Sequence, residues 1–368
     1  MMKSLCRLVL GVLLLATTTR ANEWVLQSVL RGTAGHEDIF GLVQLTENPA
    51  DGSLTVEASV LGLPDGSHGF HIHQYGDVVG TMDGTATGGH YNPWGVDHSG
   101  PDATIRHVGD LGNLESINGM ATYTKTFLAE DMARPTILSN LTSSAMGRAF
   151  VIHADPDDLV SQPTGNAGSR LAAGVIGIGN TDAEGLVLEE QIDSDDFEMP
   201  QALVCAMYDN NHTMMGSAKI VLNGEGVATV TAAVNSLAPN QGHGFHIHQY
   251  GDEYDYSAAT WGDVASSKTM TDVTRDLTRA GGHYNPMGVA HGLDTETRHY
   301  GDVGNLQANE DGFAMLDGLV LPGVTNLRHF VGRSCLIHAD PDDGSDPAGK
   351  RKTSTLLFVC KCVLSCSY

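Results

Sequence analysis

The chain has 368 residues, with 44 acidic against 20 basic side chains and a formal net charge of −24 at pH 7. This length suits two domains of ordinary size, and the negative charge argues against nucleic acid or an anionic membrane as a partner. Seventeen histidines are a high count and point instead to cation binding.

The first predicted element is a secretory signal peptide at residues 1–21. Basic residues precede an apolar run at 8–16, which is too short to span a bilayer and is followed by small residues. No later stretch approaches the roughly 18 apolar residues of a membrane helix. We therefore expect a secreted, extracellular protein with no membrane partner once the signal is removed. Two glycosylation triplets, at Asn140 and Asn211, fit that route.

Short strand-like runs follow the signal. In the first half they lie at Trp24–Leu30, Phe40–Leu45 and Leu54–Leu61, separated by Gly, Asn, Asp and Pro. Similar runs at Ala202–Met207 and Ala228–Val234 open the second half. Because no long helical period competes with them, the pattern predicts an all-β protein built as an antiparallel barrel or sandwich.

One nine-residue sequence occurs twice. Gly69–Asp77 reads GFHIHQYGD, and the same letters recur 175 residues later at Gly244–Asp252. Alternate side chains of a strand share a face, so His71 and His73 point together, and two imidazoles at this spacing can converge on one transition metal. The offset is the size of a domain, which indicates a duplicated domain and not a solenoid.

Three further histidine-bearing segments follow the first copy of this sequence: GHYNPWGVDH at 89–98, RHVGDLGN at 106–113 and GRAFVIH at 147–153. Together with GNAGSRLAAGVIG at 165–177, they closely resemble the copper/zinc superoxide dismutase family over almost all of residues 22–180. The resemblance implies two tandem Greek-key β-barrels, copper and zinc as cofactors, one of each per domain, and superoxide as the substrate.

The resemblance also implies roles for particular residues of the first copy. The ligands would be His71, His73, His90 and His153 for copper, and His90, His98, His107 and Asp110 for zinc. Three nitrogens and one carboxylate suit a closed tetrahedral zinc site, and four imidazoles suit copper. Asp157 matches a family carboxylate that joins a copper histidine to a zinc histidine from outside the ligand shell. His68 matches a histidine that is structural.

The second copy repeats the set with one zinc-loop residue fewer. Its copper ligands would be His246, His248, His283 and His338, and its zinc ligands would be His283, His291, His299 and Asp302. Asp342 would lie outside the ligand shell, as Asp157 does in the first copy. His243 corresponds to the structural histidine of the first copy. We interpret His36, His212 and His329 as ordinary surface or core residues.

The mechanism that the resemblance implies is dismutation in two half-reactions. Copper takes an electron from one superoxide and gives it to a second, so that dioxygen and hydrogen peroxide form. The bridging imidazole leaves copper on reduction and carries a proton, which would make His90 and His283 both ligand and acid. Arg170 matches the family's anion-guiding arginine, and it matters here because a strongly negative protein repels superoxide from afar.

The first copy departs from the family pattern in its loops. The usual loop disulfide is missing, because residues 81–82 and Ala173 stand where its cysteines belong. Its loss predicts a less firmly held Arg170. The loop at 158–165 is also short and lacks charged steering residues. We expect activity, but slower than the near-diffusional limit of the best enzymes.

The second copy departs further, which favours domain one as the active unit. An insertion of 18 residues lies between Asp252 and His283, near the expected mouth of the site. After Asp343 the motif that carries the arginine is absent. The segment 356–364 can fill the last strand's place by β propensity alone, but we favour the interpretation that it is an alternative or misread transcript end.

The cysteines are confined to the second half of the mature chain. Those that remain after the signal are Cys205, Cys335, Cys360, Cys362 and Cys366. The first domain therefore cannot depend on a disulfide framework. For the last three we favour an incidental tail over metal binding or pairing between chains.

The predicted domains are the signal at 1–21, the first domain at 22–180, a linker at 181–200, the second domain at 201–343 and a divergent tail at 344–368. The linker has eight acids and no Lys or Arg, which indicates a solvated spacer. The alternative function is a secreted metal-binding or storage protein of pernin type, without enzyme activity. The intact ligand sets favour the enzyme, and the altered loops favour the metal-binding or storage protein. A homodimer and an internal pairing of the two domains are both open.

Overall fold

The computed structural model describes residues 24–78, 83–137, 143–179, 202–209, 213–252, 254–255, 274–275, 277–293, 298–345, 356–361 and 363–364. The signal, the acidic linker, both glycosylation asparagines and most of the insertion lie outside these residues. Within them the regular structure consists of strands and short 3₁₀ helices, so the all-β prediction is confirmed. No helix in the described ranges is long and apolar enough to cross a membrane.

Eight strands of the first copy form a closed antiparallel barrel. They are β1 (Trp24–Gly32), β2 (Phe40–Glu47), β3 (Leu54–Leu61), β4 (Gly66–His73), β5 (Asp110–Ile117), β6 (Met120–Phe127), β7 (Ala149–His153) and β8 (Arg170–Ile178). Their order around the barrel is β1-β2-β3-β6-β5-β4-β7-β8. Along β3, buried residues alternate with half-buried ones, as expected where one strand face lines a core.

The second copy repeats this topology. Its strands are β9 (Ala202–Tyr208), β10 (Met214–Leu222), β11 (Ala228–Val234), β12 (Gly242–Ile247), β13 (Tyr254–Asp255), β14 (Thr274–Arg275), β15 (Asp302–Gln307), β16 (Ala314–Leu321), β17 (Ser334–His338), β18 (Leu356–Lys361) and β19 (Val363–Leu364). The main sheet runs β15-β12-β17-β18-β9-β10-β11-β16, and β13 pairs with β14 separately. The short 3₁₀ helices are Thr85–Thr87, Leu277–Ala280 and Leu327–Phe330.

The two copies differ in how the sheet closes. In the first copy β5 pairs with β6 and completes the barrel. Among the described residues of the second copy, no ladder joins the equivalent strands β15 and β16. The prediction of tandem Greek-key barrels is confirmed in topology, and closure by hydrogen bonds is seen in the first copy.

Strand β18 takes the place that β8 holds in the first copy. His153 of β7 is the register partner of Arg170, and His338 of β17 is the register partner of Leu356. The sequence favours an alternative or misread transcript end for this segment, but in the structure it pairs with β17 and β9 as the last strand. The register also puts a leucine in the second copy where the first copy has its arginine.

The two copies pack against each other through backbone groups at the end of β8. The amide of Ile178 donates to the carbonyl of Gly332 at 2.9 Å, and the Ile178 carbonyl accepts from the amide of Gly251 at 2.8 Å. A side chain at Gly251 would not fit, since its Cβ would lie 2.1 Å from the Gly332 oxygen and 3.1 Å from the Cα of Gly177. These contacts form an internal pairing of the copies.

Candidate metal centres

Strand β4 separates the core of the first barrel from a cluster of histidines. Phe70 and Ile72 are fully buried in the core, where the Phe70 ring stacks on Phe150 with centroids 5.3 Å apart. The alternation of the strand turns His71 and His73 to the opposite face, where loops bury them as well. The two histidines are therefore carried by a strand whose other face is close-packed in the core, which restricts their movement.

The four histidines predicted to bind copper in the first copy do come together. Their ligand atoms all lie within 4.8 Å of one another, and the residues are His71, His73, His90 and His153. One ring nitrogen of each histidine is hydrogen-bonded to the surrounding protein. Carboxylates bind two of them: Asp157 lies 2.8 Å from His71 Nε2, and Asp110 lies 2.8 Å from His90 Nδ1. Backbone carbonyls bind the other two: that of Gly88 lies 2.8 Å from His73 Nδ1, and that of Gly168 lies 3.2 Å from His153 Nδ1. The second nitrogen of each ring is thereby left to face the centre of the cluster.

The inward nitrogens fit a metal. Nδ1 of His71 and Nε2 of His90 are buried without a hydrogen-bond partner in the described part of the chain, and Nε2 of His73 lies 3.2 Å from Nε2 of His153. Buried polar atoms without partners are costly, and an ion bound by four imidazoles would satisfy them. Such a donor set suits copper among the transition metals.

The predicted zinc ligands of the first copy converge on one carboxylate oxygen. Asp110 Oδ1 lies 2.8 Å from His90 Nδ1, 2.9 Å from His98 Nδ1 and 3.2 Å from His107 Nδ1. A tetrahedron with zinc–ligand bonds of 2.0–2.1 Å has edges of roughly 3.3 Å, so these spacings fit zinc with little movement. The other oxygen of Asp110 accepts from the amides of Ser99 and His107 and is thereby fixed.

Asp157 joins the two clusters. Its carboxylate accepts from His71 Nε2 at 2.8 Å and contacts His98 Nε2 at 3.0 Å. Asn113 holds the Asp157 backbone at both its amide and its carbonyl. Glycine is needed at position 165, because a Cβ there would lie 1.9 Å from the Asp157 carboxylate. This arrangement orients one histidine of each cluster.

The pKa values of the histidines differ between the copper cluster and the zinc cluster. Burial, reinforced by the neighbouring His90, lowers the pKa of His71 to about 3, and burial lowers the pKa of His153 to about 4. Burial also acts to lower the pKa of His98, but hydrogen bonds with Asp110 and Asp157 outweigh it and raise that pKa to about 9. The histidines of the copper cluster are therefore neutral at pH 7 and ready to bind a cation, whereas His98 of the zinc cluster holds a proton.

Arg170 lies at the rim of the four-histidine cluster. Its guanidinium donates to the Gly88 carbonyl at 2.7 Å, the same oxygen that accepts from His73 Nδ1. Its charge is close enough to contribute to the low pKa values of His73 and His153. Its Nε is buried and makes no hydrogen bond to a described residue. The arginine is thus held by a backbone carbonyl, without the loop disulfide.

The second copy assembles the same two clusters. His246 Nε2 contacts Asp342 at 2.7 Å, and the His246 and His283 ring centroids lie 3.8 Å apart. Asp302 lies 2.8 Å from His283 Nδ1. The full sets are His246, His248, His283 and His338, and His283, His291, His299 and Asp302. The donors fit copper and zinc as in the first copy.

Two features of the first centre have no counterpart among the described residues of the second. Leu356 stands at the register position of Arg170. In addition, Nδ1 of His338 makes no hydrogen bond to any described residue, whereas the Gly168 carbonyl accepts from the corresponding nitrogen of His153. Both differences follow from the divergent tail, because Arg170 and Gly168 belong to the segment that it replaces.

The remaining described histidines have local roles. His68 is held by the carbonyls of His153 and Pro64, and His243 by the carbonyls of His338 and Ala238. Neither belongs to a metal cluster. His329 lies 3.0 Å from the Tyr284 hydroxyl in the core. His212 lies outside the described residues.

Sequence reasoning missed several supporting residues. Thr87 is buried, and its hydroxyl lies 3.0 Å from His73 Nδ1. No signal marks it, since the second copy has Ala280 at the matching place. Asn113 could have been found, because a Gly-Asn-Leu triplet follows the zinc aspartate in both copies and Asn305 likewise holds Asp342.

The fold and the sites together define a duplicated β-barrel metalloprotein with two paired metal centres. The family model for copper/zinc superoxide dismutase matches residues 39–176 and again residues 214–355. The chain therefore belongs to the copper/zinc superoxide dismutase family. It is an enzyme of that type, with copper and zinc as its cofactors.

Individual relatives cover one copy at a time. The extracellular Cu-Zn superoxide dismutase of Onchocerca volvulus is 42% identical over 161 residues, which is 41% of this chain and 74% of the relative. A putative Cu-Zn superoxide dismutase of Autographa californica nuclear polyhedrosis virus is 40% identical over 147 residues, 38% of this chain and 93% of the relative. A crystal structure of the clock protein EA4 is 37% identical and covers 42% of this chain and 94% of that one, at a TM-score of 0.36.

Proposed function

We propose that this protein is an extracellular superoxide dismutase whose first domain carries most of the activity. The observation that carries the proposal is the place of Arg170 beside the four-histidine cluster of the first copy, with its guanidinium hydrogen-bonded to the Gly88 carbonyl. A half-buried cation next to a metal site is suited to attract a small anion such as superoxide. The second copy has Leu356 at that register position.

The residues of the first copy have separate roles in this reaction. Bound copper supplies the electron acceptor and donor that alternate between the two half-reactions. Arg170 holds the superoxide anion and offsets the repulsion that a net charge of −24 imposes. His90 faces the copper cluster with Nε2 and the zinc cluster with Nδ1, so Nε2 is the atom placed to hold and deliver a proton.

The residues around His90 keep that proton in place. Asp110 fixes His90 through Nδ1 at 2.8 Å, which leaves Nε2 as the nitrogen that can change its bonding. Asp157 fixes His71 and His98 on either side. The same groups in the second copy are Asp302, His283 and Asp342, so we expect that centre to bind metal but to react more slowly with superoxide.

Secretion is the second part of the proposal. It is supported by the apolar run at residues 8–16 and by the name of the Onchocerca volvulus relative, which is an extracellular enzyme. Expression of the full chain in eukaryotic cells, followed by sequencing of the N-terminus of the protein in the medium, tests it. We expect a mature chain that begins close to residue 22.

The test of the enzymatic proposal compares two double variants of the mature protein. His71→Ala with His73→Ala removes two copper ligands from the first domain, and His246→Ala with His248→Ala does the same in the second. We expect the first pair to abolish most superoxide dismutation and the second pair to leave most of it, with copper content halved in both. If copper binds but the wild type shows no activity above free copper, the protein is a metal-binding or storage protein instead.

A further inference from the structure

Two cysteines meet inside the second barrel, away from both metal centres. Cys205 of β9 and Cys335 of β17 are 0% and 1% exposed, and their sulfur atoms lie 3.0 Å apart. A disulfide bond has a length of about 2.05 Å, so the sulfurs must approach by roughly 1 Å, and because β18 lies between β9 and β17 this approach needs the two strands to move towards each other.

This pair belongs to the second copy alone. The segment GRAFVIH of the first copy becomes GRSCLIH in the second, which puts Phe150 at the place of Cys335. Ser28 is buried two residues after Leu26 on β1, as Cys205 is buried two residues after Leu203 on β9. The first copy therefore fills this part of its core with a large ring and a hydroxyl.

We propose that Cys205 and Cys335 form a disulfide that staples β9 to β17 in the secreted protein. The two thiols lose two protons and two electrons as the S–S bond forms, and a disulfide-bonded oxidoreductase of the secretory pathway accepts the electrons and becomes a dithiol. Both sulfurs are fully buried in the folded barrel. The exchange therefore takes place before the barrel closes.

The position of the staple explains what it contributes. The two cysteines are 130 residues apart in sequence, and the zinc ligands and three of the four copper ligands of the second copy lie between them. His338, the fourth copper ligand, follows Cys335 on the same strand. Cross-linking a long loop restricts the unfolded chain. The disulfide would stabilise the second copy, in which the described residues show no hydrogen-bonded ladder between β15 and β16.

A third cysteine offers an alternative disulfide, which the experiment must distinguish from the Cys205–Cys335 bond. Cys360 of β18 is the register partner of Cys335. A cross-strand pairing of Cys335 with Cys360 would tie β17 to its neighbour in the sheet instead of to β9. We propose the Cys205–Cys335 pair because their sulfur atoms lie 3.0 Å apart.

Peptide mapping of the full-length secreted protein tests the pairing directly. The protein is denatured without reductant, free thiols are alkylated, and a protease digest is analysed by mass spectrometry. We expect a linked pair of peptides that contain Cys205 and Cys335, lost on reduction and retained in the Cys360→Ser variant. Alkylation of both cysteines in the wild type, or a peptide that links Cys335 to Cys360, would overturn the proposal.

Thermal unfolding tests the stapling effect. Cys205→Ser introduces the residue that the first copy has at this place, so the variant is expected to fold. Its second-domain transition should fall by about 5–10 °C in non-reducing buffer, while Cys360→Ser should leave that transition within about 1–2 °C of the wild type. Equal midpoints for the wild type and Cys205→Ser would count against a stabilising bond.

Discussion

The guanidinium of Arg170 donates a hydrogen bond to the carbonyl of Gly88 at 2.7 Å. That carbonyl also accepts from Nδ1 of His73, so the arginine and a copper ligand share one backbone anchor. The contact replaces part of what a loop disulfide would do, because it fixes the positive charge relative to the metal cluster. The arginine therefore has a defined place although residues 81–82 and Ala173 provide no cysteine.

Replacement of Arg170 by alanine tests the steering role. We expect kcat/KM for superoxide to fall by about 10-fold, since a local cation raises the encounter rate of an anion with a negative protein. Copper and zinc content should not change. Arg170→Lys is the matched control and should keep most of the activity and its dependence on ionic strength. An unchanged kcat/KM in the alanine variant would remove Arg170 from the mechanism.

The second centre offers the reverse experiment. In a His71→Ala, His73→Ala background, only the second centre can hold a full copper set. Leu356→Arg should then raise the residual activity several-fold, because it puts a cation at the register position of Arg170. Leu356→Gln provides a polar, uncharged control. Equal rates for the two variants would mean that charge at this position does not limit the second centre.

Asp157→Asn tests the carboxylate that joins the two clusters. Asp157 contacts His71 and His98 with separate oxygens, and loss of such a partner lowers metal affinity by about 10–100-fold. Competition with a chelator measures zinc affinity in the variant and in Asp155→Asn, a neighbouring exposed control. Equal affinities in the two variants would show that Asp157 does not support the zinc site.

The metal-free protein should lose stability at alkaline pH. The pKa of His98 is raised to about 9 by Asp110 and Asp157 against the effect of burial, while the unfolded value is about 6.5. A raised pKa stabilises the folded state fully below about pH 6.5, and this stabilisation is lost as the pH rises through about 9. Thermal unfolding of the metal-free protein at about pH 7.5 and pH 9.5 measures the loss, because the low-pKa histidines of the copper cluster reduce stability only below about pH 6.5. His98→Gln should show a smaller difference between the two conditions.

Gly251→Ala tests the packing between the two copies. A Cβ at this position would meet the backbone of Gly332, Gly177 and Ile178, so we expect a cost of about 1–3 kcal/mol. Calorimetry should show an unfolding transition that splits or moves to lower temperature. Gly224→Ala is the control, because a Cβ at that position would have no atom within 4 Å. A single unshifted transition in Gly251→Ala would show that this contact does not couple the copies.

Much of the candidate site could be predicted from the sequence, because its ligands lie in segments that occur twice. The pairs at His71/His73 and His246/His248 follow from strand alternation, and the resemblance to the copper/zinc superoxide dismutase family implies the other ligands. The supporting contacts of Thr87 and of the Gly88 carbonyl could not be predicted. They depend on where a loop backbone passes in space, and a carbonyl group has no sequence signature.

The sequence by itself determined the family, the duplication and the candidate ligands of both centres. These properties are local, since they rest on residue types at short, repeated spacings. Only the tertiary structure decided that β18 fills the last strand of the second copy with Leu356 opposite His338. It also decided that Ile178 joins the copies and that Cys205 meets Cys335. Each of these depends on strand register or on contact between distant segments, which spacing along the chain does not encode.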